Sequence, residues 1–310
     1  MNRLRIGSRG SKLALWQAEH IRTRLSNDGG IESEIVIIKT SGDRFQSASV
    51  TAIGGKGIFI KEIEDALLDA RVDIAVHSMK DVPTATPSGL CFPAVTERED
   101  PRDCLVSRRG ESLGTLPHGA RVGTSSLRRQ SQLRYFRKDL RVTEMRGNVD
   151  TRLRKLETGE FDAIVVAKAG LDRLGLSDNI AEVIAPEIML SAVGQGALAI
   201  EARESDESLR ETLASFDDGE TRAAVTAERA LLAELEGGCQ VPLGAWGRIE
   251  RGALRLDARV LAADGSESIA GNASGPMANA EEIGRRLARE LLDGGAGRLL
   301  RLAGRSVGEI

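Results

Sequence analysis

Two periods take turns along this chain. Leu4 and Ile6 alternate with Arg3, Arg5 and Gly7, as in a half-buried strand, whereas Ala14, Ala18, Ile21 and Leu25 recur every three or four positions, as on one helix face. Read onward, the pattern predicts a strand near 3 to 8, a helix over 12 to 25, a strand over 33 to 39 and a helix over 58 to 70. Strands at 73 to 77, 89 to 96 and 103 to 107 follow. After Pro117 the alternation resumes: strand 120 to 124, helix 126 to 137, strand 140 to 145, helix 148 to 157 and strand 162 to 167. Alternating strands and helices cover both faces of a sheet, so two α/β units are expected. A strand over 195 to 203 and helices over 206 to 215 and 220 to 235 come next. Strands near 240 to 249, 253 to 262 and 267 to 272 then precede helices 279 to 293 and 295 to 303, a third, smaller α/β module. Neither period survives from Thr40 to Gly57, which reads as a long loop of the kind that serves as a lid or stays disordered.

With 310 residues, the chain has room for two or three domains. It opens on Met1-Asn2-Arg3-Leu4-Arg5 with no apolar signal segment, and no apolar run approaches the length of a membrane span. A soluble, cytoplasmic protein with no membrane partner is expected. The net charge of −3 conceals a strong segregation: Arg121 to Lys155 carries eleven Arg or Lys against three acids, while Glu201 to Glu236 carries eleven acids against four arginines. A basic stretch of that density fits a compact polyanion. Aromatic residues make up 3% of the chain, too few for base-stacking platforms, and nucleic acid is not the expected partner.

The three cysteines narrow the chemistry. Cys91, Cys104 and Cys239 are odd in number and far apart, with no C-x-x-C pair, which excludes a disulfide framework and a thioredoxin-like motif. His20, His77 and His118 stand at no metal-ligand spacing from a cysteine, so no metal site is expected. Cys91 and Cys104 lie in apolar strand-like runs and read as core. Cys239 differs: Glu236-Gly237-Gly238-Cys239-Gln240-Val241-Pro242 surrounds it with glycines and a proline, displaying a thiol that can act as a covalent attachment point.

Nucleotide binding is excluded on two counts. Gly54-Gly55-Lys56-Gly57 lacks the glycine and hydroxyl of a P-loop, and Gly194-Gln195-Gly196 leads into a strand rather than a helix. The informative positions lie where strands end. Ser78-Met79-Lys80-Asp81-Val82-Pro83 turns at the carboxyl end of an apolar strand, where open α/β sheets bind ligands. Gly123-Thr124-Ser125-Ser126-Leu127-Arg128-Arg129, Arg146-Gly147-Asn148 with Arg152, and Arg9 with Ser11 each combine a helix N-terminus with hydroxyl or guanidinium groups. Any one junction is explained by helix caps and solvated arginines. Four of them point to an anion-binding cleft.

These motifs, in order, resemble the porphobilinogen deaminase family over essentially the whole chain: Ser8-Arg9-Gly10-Ser11 with Leu13-Ala14-Leu15-Trp16-Gln17, Val76 to Pro83, Gly123 to Gln130, Arg146-Gly147-Asn148-Val149 and Glu236 to Pro242. The resemblance implies two lobes like those of type II periplasmic binding proteins, plus a smaller C-terminal α/β domain with an antiparallel sheet. The implied boundaries are 1–98 plus 195–216 for the first lobe, 99–194 for the second and 217–310 for the C-terminal domain. It also implies a dipyrromethane cofactor held through a thioether at Cys239, on which four porphobilinogen molecules condense head to tail with loss of ammonia. Water then releases linear hydroxymethylbilane. By the same resemblance Asp81 is the catalytic carboxylate, and Arg9, Ser11, Lys80, Thr124, Ser126, Arg128, Arg129, Arg146, Arg152 and Arg173 hold cofactor and substrate carboxylates. Gln17 positions the chain, Lys56 and Phe59 belong to a lid, and the protein is expected to be a monomer. A binding protein of the same lobe type would have no use for Cys239 or Asp81. A second rival, a DNA-binding regulator with a basic helix at 126 to 137, is weakened by the low aromatic content and the acidic 201 to 236 segment.

Overall fold

The alternating periods resolve, in a computed structural model that describes residues 3–40, 60–235 and 241–308, with side chains up to 303, into three sheets. The chain begins with β1 (Leu4–Ser8), α1 (Lys12–Gly29), β2 (Ser33–Ile37), α2 (Lys61–Leu68), β3 (Ile74–Ser78), a 3₁₀ turn over Met79–Asp81 and β4 (Leu90–Val95). It continues through β5 (Asp103–Ser107), β6 (Arg121–Gly123), α3 (Leu127–Phe136), β7 (Arg141–Thr143), α4 (Val149–Glu157), β8 (Ala163–Ala167), α5 (Lys168–Arg173) and β9 (Glu182–Val183). After β10 (Leu198–Arg203) come α6 (Glu207–Ala214), α7 (Gly219–Glu234), β11 (Leu243–Glu250), β12 (Ala253–Leu261), β13 (Ser268–Gly275), α8 (Ala280–Asp293) and α9 (Ala296–Gly308). Every strand and long helix expected among these residues is present. The short α5 and β9 were not expected, since each is too brief to show a period.

The chain divides into two compact units, residues 1–98 with 197–222 and residues 99–196 with 223–310. In the first, the strand order is β2-β1-β3-β10-β4, with β1 parallel to β2 and β3 and the returning β10 antiparallel to both its neighbours. Its two faces are covered separately. Ala18, Ile21 and Leu25 of α1 pack with Ile74, Val76, Leu198 and Ile200, and Ile63, Ala66 and Leu67 of α2 pack with Ala75 and Leu90. Each such fully buried leucine or isoleucine contributes about 1.5–3 kcal/mol.

The second unit holds two sheets. One repeats the arrangement in the order β7-β6-β8-β5-β9, with β6 parallel to β7 and β8 and β5 antiparallel to β8. The other is the antiparallel meander β11-β12-β13. Against it α8 lays Ile283, Leu287, Ala288 and Leu291, a stripe spaced at three or four residues. Gly284, on the same stripe, faces α7 so closely that a Cβ would collide with the Ala227 carbonyl, and only glycine allows that approach. The molecule is thus α/β, with two doubly covered sheets and a C-terminal antiparallel sheet backed by helices. Among the described residues no helix is long and apolar enough to cross a membrane.

Candidate functional site

In each of the two larger sheets the parallel strands run the same way, so the segments after them emerge at one edge. In the first unit β1 delivers Arg9, Ser11 and then Gln17, and β3 delivers Lys80 and Asp81. Ser11 caps α1, its hydroxyl accepting from the Ala14 amide at 3.3 Å. Gln17 is buried and donates through Nε2 to Ser78 Oγ at 2.8 Å, which ties α1 to the end of β3. Asp81 is exposed at the end of the 3₁₀ turn and Lys80 is half-buried beside it.

In the second unit the loops and helices that follow β6, β7 and β8 carry Thr124, Ser126, Arg128 and Arg129, then Arg146 and Arg152, then Arg173. Thr124 is fully buried, and its hydroxyl accepts from the Ser126 amide at 3.3 Å. Ser126 is the N-cap of α3 yet makes no side-chain capping bond, which leaves its hydroxyl and the first turn's amides for another acceptor. Asn148 does cap α4, through Thr151 at 3.0 Å.

Several of these arginines are committed to acids that the sequence pattern did not reveal. Arg128 and Arg129 are 5% and 6% exposed and converge on the fully buried Asp103 of β5, with Nη1 and Nη2 at 2.6 and 2.7 Å. Gln195 Nε2 donates to the same carboxylate at 3.0 Å, and Arg128 also reaches the Leu190 carbonyl at 2.6 Å. Burial alone would raise the Asp103 pKa. The charges of Arg128 and Arg129 and their hydrogen bonds outweigh it and hold the carboxyl far below its usual range. Burial lowers Arg128, with Asp103 opposing, and a guanidinium so paired stays charged. Arg173, 6% exposed, donates to Glu99 at 3.0 Å and to the Gly196 carbonyl at 2.8 Å. Arg146 lies 3.3 Å from Glu144. The 121 to 155 surplus is reduced by the Arg121–Asp162 and Lys155–Glu160 pairs, and Arg137 pairs with Asp139 within the run. The two leading arginines of α3 are thus turned inward, toward β5.

Arg152 is the exception. Its Nε donates to the Gly147 carbonyl at 2.8 Å, and among the described residues it has no carboxylate partner. Burial, and after it the neighbouring Arg129, bring its pKa down to about 10. A half-buried cation beside another cation, with no carboxylate partner among the described residues, has the chemistry to receive an anion. The donor set, guanidinium and hydroxyl groups with helix N-terminal amides, fits a group whose rings carry several carboxylates, as a dipyrromethane does.

Of the two described thiols, Cys104 lies in the core as expected, whereas Cys91 is only half-buried. Cys104 is fully buried, and burial followed by the Asp103 charge pushes its pKa up to about 12. Burial also raises Cys91. Cys239, Lys56 and Phe59 lie outside the described residues. Asp103, Gln195 and Glu99 were missed in the sequence. An acid opening the apolar run Asp103-Cys104-Leu105-Val106 was the available signal, because an unpaired carboxylate cannot begin a central strand.

Two family models match the sequence: "porphobilinogen deaminase, dipyromethane cofactor binding domain" over residues 4–211 and "porphobilinogen deaminase, C-terminal domain" over 222–293. Porphobilinogen deaminase of Geobacter metallireducens is 49% identical over 298 residues, covering 96% of this chain and 93% of the relative. The Nitratidesulfovibrio vulgaris protein of the same name is 52% identical over 303 residues, covering 97% and 96%. Among solved structures, a periplasmic substrate-binding protein from Coxiella burnetii aligns with TM-score 0.42 at 14% identity, covering 69% of this chain and 91% of that one. An ancestral cationic amino acid solute-binding protein aligns with TM-score 0.42 at 16% identity, covering 69% and 87%. By its sequence along nearly its whole length, the chain belongs to the porphobilinogen deaminase family.

Proposed function

We propose that this protein joins four porphobilinogen molecules head to tail, with release of ammonia, and frees the product as hydroxymethylbilane, acting as a cytoplasmic monomer. The observation that carries the reading is Arg152, a half-buried cation with no acid partner among the described residues, grouped with Thr124, Ser126 and Arg129 at one sheet edge. A dipyrromethane bound through Cys239 supplies the nucleophilic pyrrole carbon to which units are added. The chain's own residues do the rest. Arg146 and Arg152, with Thr124 and Ser126, bind acetate and propionate groups, joined by Arg128, Arg129 and Arg173, whose guanidinium groups also hold Asp103 and Glu99, and Arg9, Ser11 and Lys80 do the same in the first unit. Asp81, exposed at the end of its turn, faces the pyrrole N–H and stabilises the positive charge that develops as ammonia leaves. Gln17 holds that turn through Ser78. Lys56 and Phe59 act in a lid that excludes water until the last step. The work is divided among the 1–98 plus 195–216 lobe, the 99–194 lobe and the 217–310 attachment domain.

The decisive experiment is the intact mass of the purified protein and of Cys239→Ser. The parent is expected to carry a stable excess of two linked pyrrole units, absent from the variant, which should also lack deaminase activity. The same excess on Cys239→Ser would refute the attachment. For Asp81, fully loaded Asp81→Asn should lose about 10² to 10⁴ in turnover with little change in substrate affinity. Turnover at the parental rate would remove Asp81 from the chemistry.

A further inference from the structure

One buried ionisable pair has no place in the reaction assigned above. Glu201 stands in the middle of β10 with 0% exposure, opposite Ala75, on the sheet face that α2 covers with Ile63, Ala66 and Leu67. Its neighbours Ile200 and Ala202 fill the opposite core. Glu201 Oε2 lies 2.9 Å from Nε2 of His77, a diagonal neighbour on β3 that is 5% exposed, while Oε1 has no hydrogen-bond partner among the described residues. On the facing α2, burial and then the Glu201 charge raise the Glu64 carboxyl, against an opposing effect of His77. A buried layer holding these groups is no cheaper than an apolar one, so stability alone does not account for the pair.

Its position does. The β1 ladder against β3 covers Ile6↔Ile74 and Gly7↔Ala75, so among the described residues the last residues of β3, Val76 to Ser78, are in ladder register with β10 alone. The Asp81 turn springs from this half-supported end. The Gln17 to Ser78 bond steadies it from the α1 side, and the Glu201 to His77 contact steadies it from the α2 side. We propose that His77 and Glu201 are positioning residues: Glu201 fixes the His77 ring, the ring fixes the carboxyl end of β3, and that end sets the direction in which Asp81 is presented. The inference rests on the reading of Asp81 given above.

The test uses holoenzyme whose cofactor loading is measured by mass. His77→Leu and Glu201→Leu should each lower kcat at least about tenfold with KM within about threefold, and the double variant should be no slower than the slower single, because the two act as a unit. Glu201→Gln, which keeps an acceptor of the same shape, should hold kcat within about threefold. Loaded leucine variants turning over at the parental rate, even with a lowered Tm, would overturn the proposal. If the leucine variants do not load, Glu201→Gln and His77→Gln decide: kcat within about threefold in both supports it, and a loss of about tenfold in either overturns it. Asp81→Asn measured in parallel separates the two readings. A slow Asp81→Asn beside fast leucine variants removes only the positioning role, whereas a fast Asp81→Asn removes the reading of Asp81 itself.

Discussion

Asp103→Asn removes a charge and no bulk from the point where two arginines and a glutamine converge. The carboxylate takes Arg128 Nη1 at 2.6 Å, Arg129 Nε and Nη2 at 3.0 and 2.7 Å, and Gln195 Nε2 at 3.0 Å. An asparagine there keeps one acceptor and turns an NH₂ toward guanidinium donors. Breaking a buried ion pair from one side costs about 3–5 kcal/mol. The Leu190 and Val165 carbonyls, which already accept from Arg128 and Arg129, bring the expectation to the low end, about 3 kcal/mol. For a unit of this size that corresponds to a fall in Tm of about 6 to 12 °C. The effect has a definite pH sign. The folded Asp103 pKa is depressed, so its stabilisation is complete above the unfolded value of about 3.9 and fades only as pH falls below that toward the folded value. Thermal unfolding of parent and variant, followed by circular dichroism from pH 8 downward, should give a constant gap to about pH 5 that closes only in stronger acid. A variant melting within about 1 °C of the parent at neutral pH, where about 6 °C or more is expected, would mean the arginines are held by the carbonyls and not by Asp103.

Three further outcomes follow from the same geometry. With Cys104 pushed up to about 12 and Cys91 raised by burial, brief alkylation of native cofactor-free protein near neutral pH should modify Cys239 alone, and a labelled Cys104 peptide would contradict its burial. Gly147→Ala should destabilise by about 1–3 kcal/mol in urea unfolding and weaken cofactor retention. Gly147 sits at φ 115°, an added Cβ would meet Thr151 at 2.6 Å, and its carbonyl orients Arg152. Because the fold penalises the charged form of Arg152, Arg152→Met should leave Tm unchanged or raised while dipyrromethane loading falls. A variant with full loading would remove Arg152 from the anion site.

The sequence alone determined the local elements and the places where chemistry could occur. The helix expected over 126 to 137 is Leu127–Phe136, and the strand expected over 103 to 107 is Asp103–Ser107, because a period of two or three to four residues is written by each residue's own alternation between core and water. The turn after Val76-His77 and the hydroxyl and guanidinium groups after β6 and β7 were legible for the same reason: strand ends are local features. Partnership was not legible. A period shows that one face is buried and is silent about what buries it, so only the tertiary structure decided that β10, more than a hundred residues beyond β4, inserts antiparallel between β3 and β4. That insertion carries Glu201 to His77. The β5 strand likewise carries Asp103 beneath Arg128 and Arg129, turning two arginines of the basic run into partners of a buried carboxylate, while Arg152, among the described residues, has no carboxylate partner. Charges read along the chain add up. In the fold each is worth what its neighbours and its distance from water make it, and those are fixed by residues far away in sequence.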